Sequence, residues 1–198
     1  MASLVLNGNT SGSVTISSPA VSGTTTLTLP TTSGTVLTNG TNTNFPAGSV
    51  LQVVNTIKTN TFTTSSASLV DVTGLSVSIT PTSASSKILV LVNVRGTSSN
   101  GTANAGDAGI VLVRNSTNIA VSTGGSFYNW MGQLSGRNIG STAVQASASV
   151  AFLDSPATTS SITYKIQGLT AGGTLFINRD EDGGNGSVST ITVMEIQG

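Results

Sequence analysis

From Gly48 onward apolar residues recur at every second position, the period of a strand whose side chains alternate between two faces. This pattern predicts strands over 50–58, 75–80, 86–95, 108–114, 142–153, 161–167, 174–178 and 187–196, with weaker stretches at 61–70 and 117–122. No apolar stripe of period 3.6 lasts longer than two turns, so almost no helix is expected. Eight or more short strands separated by turn signals predict an all-β fold, a jelly-roll-like β-sandwich.

Two of these strands are apolar on both faces. In 86–95, Ile88, Val90, Val92 and Val94 lie on one side, and Leu89 and Leu91 on the other. In 108–114, Ile110 and Leu112 oppose Val111 and Val113. A sandwich strand with one wet face alternates apolar with polar, as 75–79 does, with Leu75, Val77 and Ile79 against Ser76 and Ser78. Strands apolar on both faces need cover on both, and one sandwich covers one side. The expectation is a trimer or another cyclic oligomer in which Leu89, Leu91, Val111 and Val113 face neighbouring subunits. The alternative is a central strand pair lying under a long loop.

The first 45 residues follow a different pattern. Short alternations (Leu4/Leu6, Val14/Ile16, Leu27/Leu29) are bounded by Gly, Pro or Asn in a Thr/Ser-rich background. They bury too little to offset about 1–2 kcal/mol of backbone entropy per ordered residue. The pieces are therefore expected to be completed by other chains, with Leu4, Leu6, Val14, Ile16, Leu27 and Leu29 as anchoring residues. A more apolar sequence begins at Pro46-Ala47-Gly48. Residues 1–47 read as an anchoring and intertwining β segment, and 48–198 as the sandwich.

Charge sharpens this picture. Seven basic and seven acidic residues make up 7% of the chain, against about 25% in an ordinary soluble domain. Copies of a chain with net charge zero on so few charges are not kept apart electrostatically, which predicts a surface committed to neighbours. The basic residues Lys58, Lys87, Arg95, Arg114, Arg137, Lys165 and Arg179 are scattered singly and form no patch for phosphates, so no nucleic-acid partner is expected. Met1-Ala2-Ser3 carries no basic residue, and no apolar run approaches the ~18 residues of a membrane span, so neither a secretory signal nor membrane insertion is expected.

The chain carries few of the groups that catalysis or metal binding needs. With no His and no Cys there is no imidazole base, thiol nucleophile, disulfide or thiolate metal site. No G-x-x-x-x-G-K motif and no strand–GxGxxG–helix unit is present. A glycosidase needs two carboxylates about 5–10 Å apart. Of Asp71, Asp107, Asp154, Asp180, Glu181, Asp182 and Glu195, three crowd into one turn and Glu195 lies next to the terminus. The expectation is a protein that is not an enzyme and needs no cofactor. Asn178, Asp180 and Asp182 followed by Gly183 are similar to the start of a calcium loop, but position 12 is Ser189 and the flanks are strands. A solvated acidic hairpin turn is the favoured reading there. Phe127, Tyr128 and Trp130 sit in the Gly-rich loop 123–141. They either plug the open end of the sandwich or, with Arg137, contact a host-surface glycan or a neighbouring subunit.

The block LTLPTTSGTVLT at 27–38 resembles an N-terminal segment common in virion structural and tail-fibre proteins of tailed bacteriophages, particularly phages of marine bacteria and cyanobacteria. PAGSVLQVV at 46–54 resembles the start of their C-terminal domain, and ITVMEI at 191–196, after an Arg/Asp-rich turn, its last strand. The resemblance implies a homotrimeric, non-enzymatic virion protein, made in the host cytoplasm and attached through its N-terminal segment to other tail or capsid proteins. Nothing here supplies the shaft repeats of a long fibre, so a short fibre, knob or capsid decoration is expected. The alternative is a receptor- or glycan-binding tip.

Overall fold

The computed structural model describes residues 3–7, 10–17, 21, 23–24, 26, 31, 33, 45–99, 108–123, 131–134, 146–179 and 186–198. The chain divides into two units, Met1–Thr38 and Asn39–Gly198. In the first, β1 (Ser3–Asn7) and β2 (Ser13–Ser17) pair antiparallel, with Leu4 opposite Ile16 and Leu6 opposite Val14. Leu4, Val5, Leu6 and Ile16 are all exposed. A two-stranded hairpin without a covered face is at best marginally stable in water.

The second unit contains β3 (Val50–Lys58), β4 (Phe62–Thr64), β5 (Val70–Ile79), β6 (Lys87–Ser99), β7 (Ala108–Arg114), β8 (Thr117–Ile119), β9 (Gly132–Gln133), β10 (Ala146–Asp154), β11 (Ile162–Thr170), β12 (Thr174–Ile177) and β13 (Ser189–Ile196). Every pairing is antiparallel, and no helix occurs among the described residues. The fold is all-β, as the alternation predicts. One sheet of six strands is built on β6. Along one edge of β6, β13 pairs over Lys87–Asn93 and β12 over Gly96–Ser99, while β10 pairs along the other edge over Ile88–Gly96. Strands β3 and β4 lie outside β13 and β12 respectively. The second sheet runs β5-β11-β7-β8, with β9 beside β7. The chain passes back and forth between the two sheets, which form a β-sandwich.

The sheets face each other through the alternating residues that the sequence marks as apolar. Ile88, Val90, Val92, Val94, Ile191 and Val193 come from one sheet, and Leu75, Val77, Ile79, Ile110, Leu112, Ile162 and Ile166 from the other. Fully burying such a side chain contributes about 1.5–3 kcal/mol. The predicted strand 86–95 extends to Ser99 because β12 takes over the edge that β13 leaves. Gly96 sits at this handover, opposite both Ala146 and Ile177. A Cβ there would run into the carbonyl oxygen of Phe176.

Polar residues also cross the core. Arg114 Nη1 donates to both oxygens of Asp154 at 2.8 and 2.9 Å, and the Tyr164 hydroxyl donates to Asp154 Oδ2 at 2.7 Å. Burial, reinforced by the adjacent Asp154 carboxylate, pushes the Tyr164 hydroxyl far above its ordinary pKa. This joins the end of β10 in one sheet to β7 and β11 in the other. Glu195 is 0% exposed. Its carboxylate accepts from Gln52 Nε2 at 2.6 Å and from the backbone N–H and hydroxyl of Thr82, both at 2.7 Å. Burial works to raise the Glu195 pKa, but donors from Gln52 and Thr82 prevail and hold it below the ordinary carboxyl range.

Two outcomes follow for stability. Gly96→Ala lowers the urea midpoint, by about 1–3 kcal/mol in unfolding free energy, because backbone must move to admit the methyl. Glu195 has a depressed pKa, so its contribution is full above the unfolded-chain value of about 4.3 and is lost as pH falls through the lower folded value. Urea titrations between neutral and acidic pH check this: stability falls below that value, and Glu195→Gln removes this part of the acid dependence.

Candidate assembly surface

The outer face of the six-stranded sheet is the part of the second unit that its own core does not explain. Register sets its composition row by row. Val53, Met194, Leu89 and Leu153 stand side by side across β3, β13, β6 and β10. The next row is Asn55, Thr192, Leu91 and Ala151, and the next Ile57, Thr190, Asn93 and Ser149. Val53, Ile57 and Leu153 are exposed, and Leu89, Leu91 and Met194 are half-buried. The first row is thus apolar through four strands. Polar groups beyond it are satisfied sideways within the sheet: Asn55 Nδ2 donates to Thr192 Oγ1 at 2.6 Å, and Asn93 Nδ2 to Ser149 Oγ at 2.9 Å. The charged residues Lys87 and Arg95 lie toward the two ends of these rows on β6.

The outer face of the other sheet is of the opposite kind. Ser78 and Thr163 share a hydrogen bond of 2.8 Å, and Asp71 pairs with Lys165 at 2.8 Å and accepts from Gln167 at 2.7 Å. The Lys165 ammonium, then the Gln167 amide, hold the Asp71 carboxyl below its ordinary range. This sheet presents a wet face; the first presents an apolar band.

The band depends on which way β3 turns. Its inner face carries Gln52, Val54, Thr56 and Lys58, leaving Val53 and Ile57 outside. Gln52 Nε2 donates to the Thr80 carbonyl and Thr56 Oγ1 to the Ser76 carbonyl, both at 2.8 Å, which ties the inner side of β3 to β5 and the residue after it. Lys58 is 2% exposed, with Nζ donating to Asn60 Oδ1 at 2.7 Å. Burial pulls the Lys58 pKa below its ordinary value. Asn178 locks this end: Nδ2 donates to the carbonyls of Lys58 (2.7 Å) and Asn60 (3.1 Å), and Oδ1 accepts from Ser189 Oγ at 2.6 Å. Ser189 Oγ in turn accepts from the Arg95 N–H at 3.0 Å. Asn178 has φ 60, a left-handed conformation that Asn tolerates better than most residues.

The residues singled out from sequence separate into groups. Leu89 and Leu91 lie on the outer band. Val111 and Val113 do not: each is 1% exposed within the single chain. Their second apolar face is covered by the chain itself, so assigning them to a subunit interface is corrected. Leu4, Leu6 and Ile16 are exposed on the hairpin. Val14 pairs with Leu6, but its side chain lies outside the described residues, as do Leu27, Leu29, Phe127, Tyr128, Trp130 and Arg137. In the acidic turn, Asn178 is buried with its side-chain oxygen already accepting a hydrogen bond, so position 1 of the calcium-loop comparison is a structural residue. Arg179 lies over the Phe176 ring at 4.6 Å, and 180–185 are outside the described residues. Val53, Ile57, Met194 and Leu153 were not singled out. Their signal was the second apolar set in VLQVVNTIK, ASASVAFL and ITVMEI, visible only once the pairing register is known.

No protein-family model and no curated protein matches the chain. Among solved structures it is similar to a chain in the structure of infectious bursal disease virus Gx strain, at 14% identity and a TM-score of 0.33. The match covers 84% of this chain and 47% of that one, so this chain spans about half the length of the other. So distant a likeness bears on neither connectivity nor function.

Asn178→Ala strands the Lys58 and Asn60 carbonyls and the Ser189 hydroxyl. It is expected to cost about 2–3 kcal/mol, read as a lower midpoint in thermal or urea unfolding, whereas Ser78→Ala on the wet face changes stability by less than about 0.5 kcal/mol.

Proposed function

We propose that the chain is a non-enzymatic structural subunit of a tailed-phage particle, a short trimeric fibre, knob or capsid decoration. The observation that carries the reading is the apolar row Val53–Met194–Leu89–Leu153, left uncovered by its own unit in a chain of very low charge. The exposed hairpin of β1 and β2 supports it, because Leu4, Leu6 and Ile16 gain cover only from something beyond that hairpin. The blocks at 27–38, 46–54 and 191–196 supply the resemblance to virion proteins. The described ionisable residues near the core also favour a structural role. Asp154, Glu195 and Tyr164 are held by hydrogen bonds that tie strands or sheets together, and Lys58 is held by Asn60 in the turn after β3.

Purified particles provide the test. Tagged full-length chain is expected in the particle and visible there by immunogold imaging, and polysaccharide turnover is expected to be absent. Deleting residues 2–44 should leave a folded second unit that no longer incorporates. Particles that lack the chain, or that take up the truncated chain equally well, would overturn the proposal.

A further inference from the structure

The geometry points to the outer face of the six-stranded sheet as the surface on which three copies of this chain pack around a common axis, rows Val53–Met194–Leu89–Leu153 facing inward as one layer. The inference rests on the reading of the chain as an assembly subunit and names the surface it would use.

Width is the first argument. Three sheets facing one another at the usual separation of about 10 Å each stand about 5 Å from the axis, which makes the sides of the prism about 17 Å wide. Four strands about 4.8 Å apart give a face about 19 Å wide. The face therefore closes a threefold prism without a gap. Its length, set by the eight residues of β13, is about 26 Å at 3.3 Å per residue. Each copy thus offers about 500 Å² of flat area, shared between its two neighbours, so each pairwise contact is smaller than the roughly 800 Å² per partner of a standard interface and the trimer depends on closing all three contacts together.

Chemistry is the second argument. The first row is apolar across all four strands, and beyond it Asn55 is hydrogen-bonded to Thr192 and Asn93 to Ser149 within the sheet. An identical face satisfies such a surface, since neither side has to supply a polar partner. Zero net charge on 14 charged residues means that copies do not repel one another at long range. Lys87 and Arg95, on the same face of β6 but two residues beyond Leu89 and Asn93 respectively, place the two charges of β6 near the ends of the prism rather than in its middle layer.

The arrangement makes a specific statement about its corners. Strands β3 and β10 bound the face, so Val53 of one copy lies next to Leu153 of the following copy. The chain contains no Cys, which leaves introduced thiols unambiguous.

Mass measurement of the full chain in solution at micromolar concentration is expected to give three times its 19.7 kDa mass. Leu89→Lys should reduce that threefold with the β spectrum unchanged, while Ser76→Lys on the wet face leaves the trimer intact. Val53→Cys combined with Leu153→Cys should give covalently linked species of up to three chains on oxidation, and neither single variant should link. Should Leu89→Lys fail to fold, the cysteine pair decides. A monomer or dimer of the unaltered chain, a trimer indifferent to a folded Leu89→Lys, or linked dimers from a single cysteine would each overturn the inference. A chain that incorporates into particles as a trimer indifferent to a folded Leu89→Lys overturns the inference alone; a trimer of the expected kind that is absent from particles overturns the proposed function alone.

Discussion

Strand β6 gives the six-stranded sheet its frame, because β13, β12 and β10 all take their register from it. Each of its residues between Ile88 and Asn93 has a partner on both edges. Alternation along this one strand therefore fixes the facing of three others. With Ile88, Val90, Val92 and Val94 turned into the core, Leu89 and Leu91 must face out. Met194, Leu153 and Ala151 are carried out with them by register. The apolar band is thus a consequence of ladder geometry and of which side of β6 the core claims.

Buried polar groups work alongside that frame. The Asp154–Arg114–Tyr164 group joins the two sheets, and Glu195 with Gln52 and Thr82 fixes the last strand against the turn before β6. A carboxylate in the core lacking its donors costs several kcal/mol. Competing arrangements that break these donors are penalised accordingly. Such groups restrict how the sandwich can slip more than they add to its net stability.

Much of this was legible in the chain. The wet strand showed itself in Ser76 and Ser78 against Leu75, Val77 and Ile79, and those residues lie where alternation puts them. The core face of β6 was equally plain. Less legible was what covers a second apolar face. Leu89 and Val111 give the same signal, because alternation records only that a side chain avoids water. Leu89 stays half-buried on an open face, whereas Val111 is buried by its own chain. Period alone does not distinguish these cases; they depend on tertiary neighbours distant in sequence.

Strand β3 shows the limit most clearly. Nothing in VLQVVNTIK indicates that Lys58 goes inside while Ile57, at 58% exposure, goes out. Hydrophobic transfer by itself favours the reverse orientation. What reverses it lies far along the chain: the left-handed Asn178 places its amide under the Lys58 and Asn60 carbonyls, while the inner side of β3 meets β5 through Thr56. Once that end is fixed, the period of two turns Val53 outward as well and completes the apolar row begun by Met194, Leu89 and Leu153. The exposed band is therefore maintained against the local hydrophobic preference of β3, by a polar cluster that contributes nothing to the band itself. A strand selected for its own folding alone would gain by exchanging Ile57 and Lys58. Keeping them as they are makes sense when the outward residues have a partner to meet.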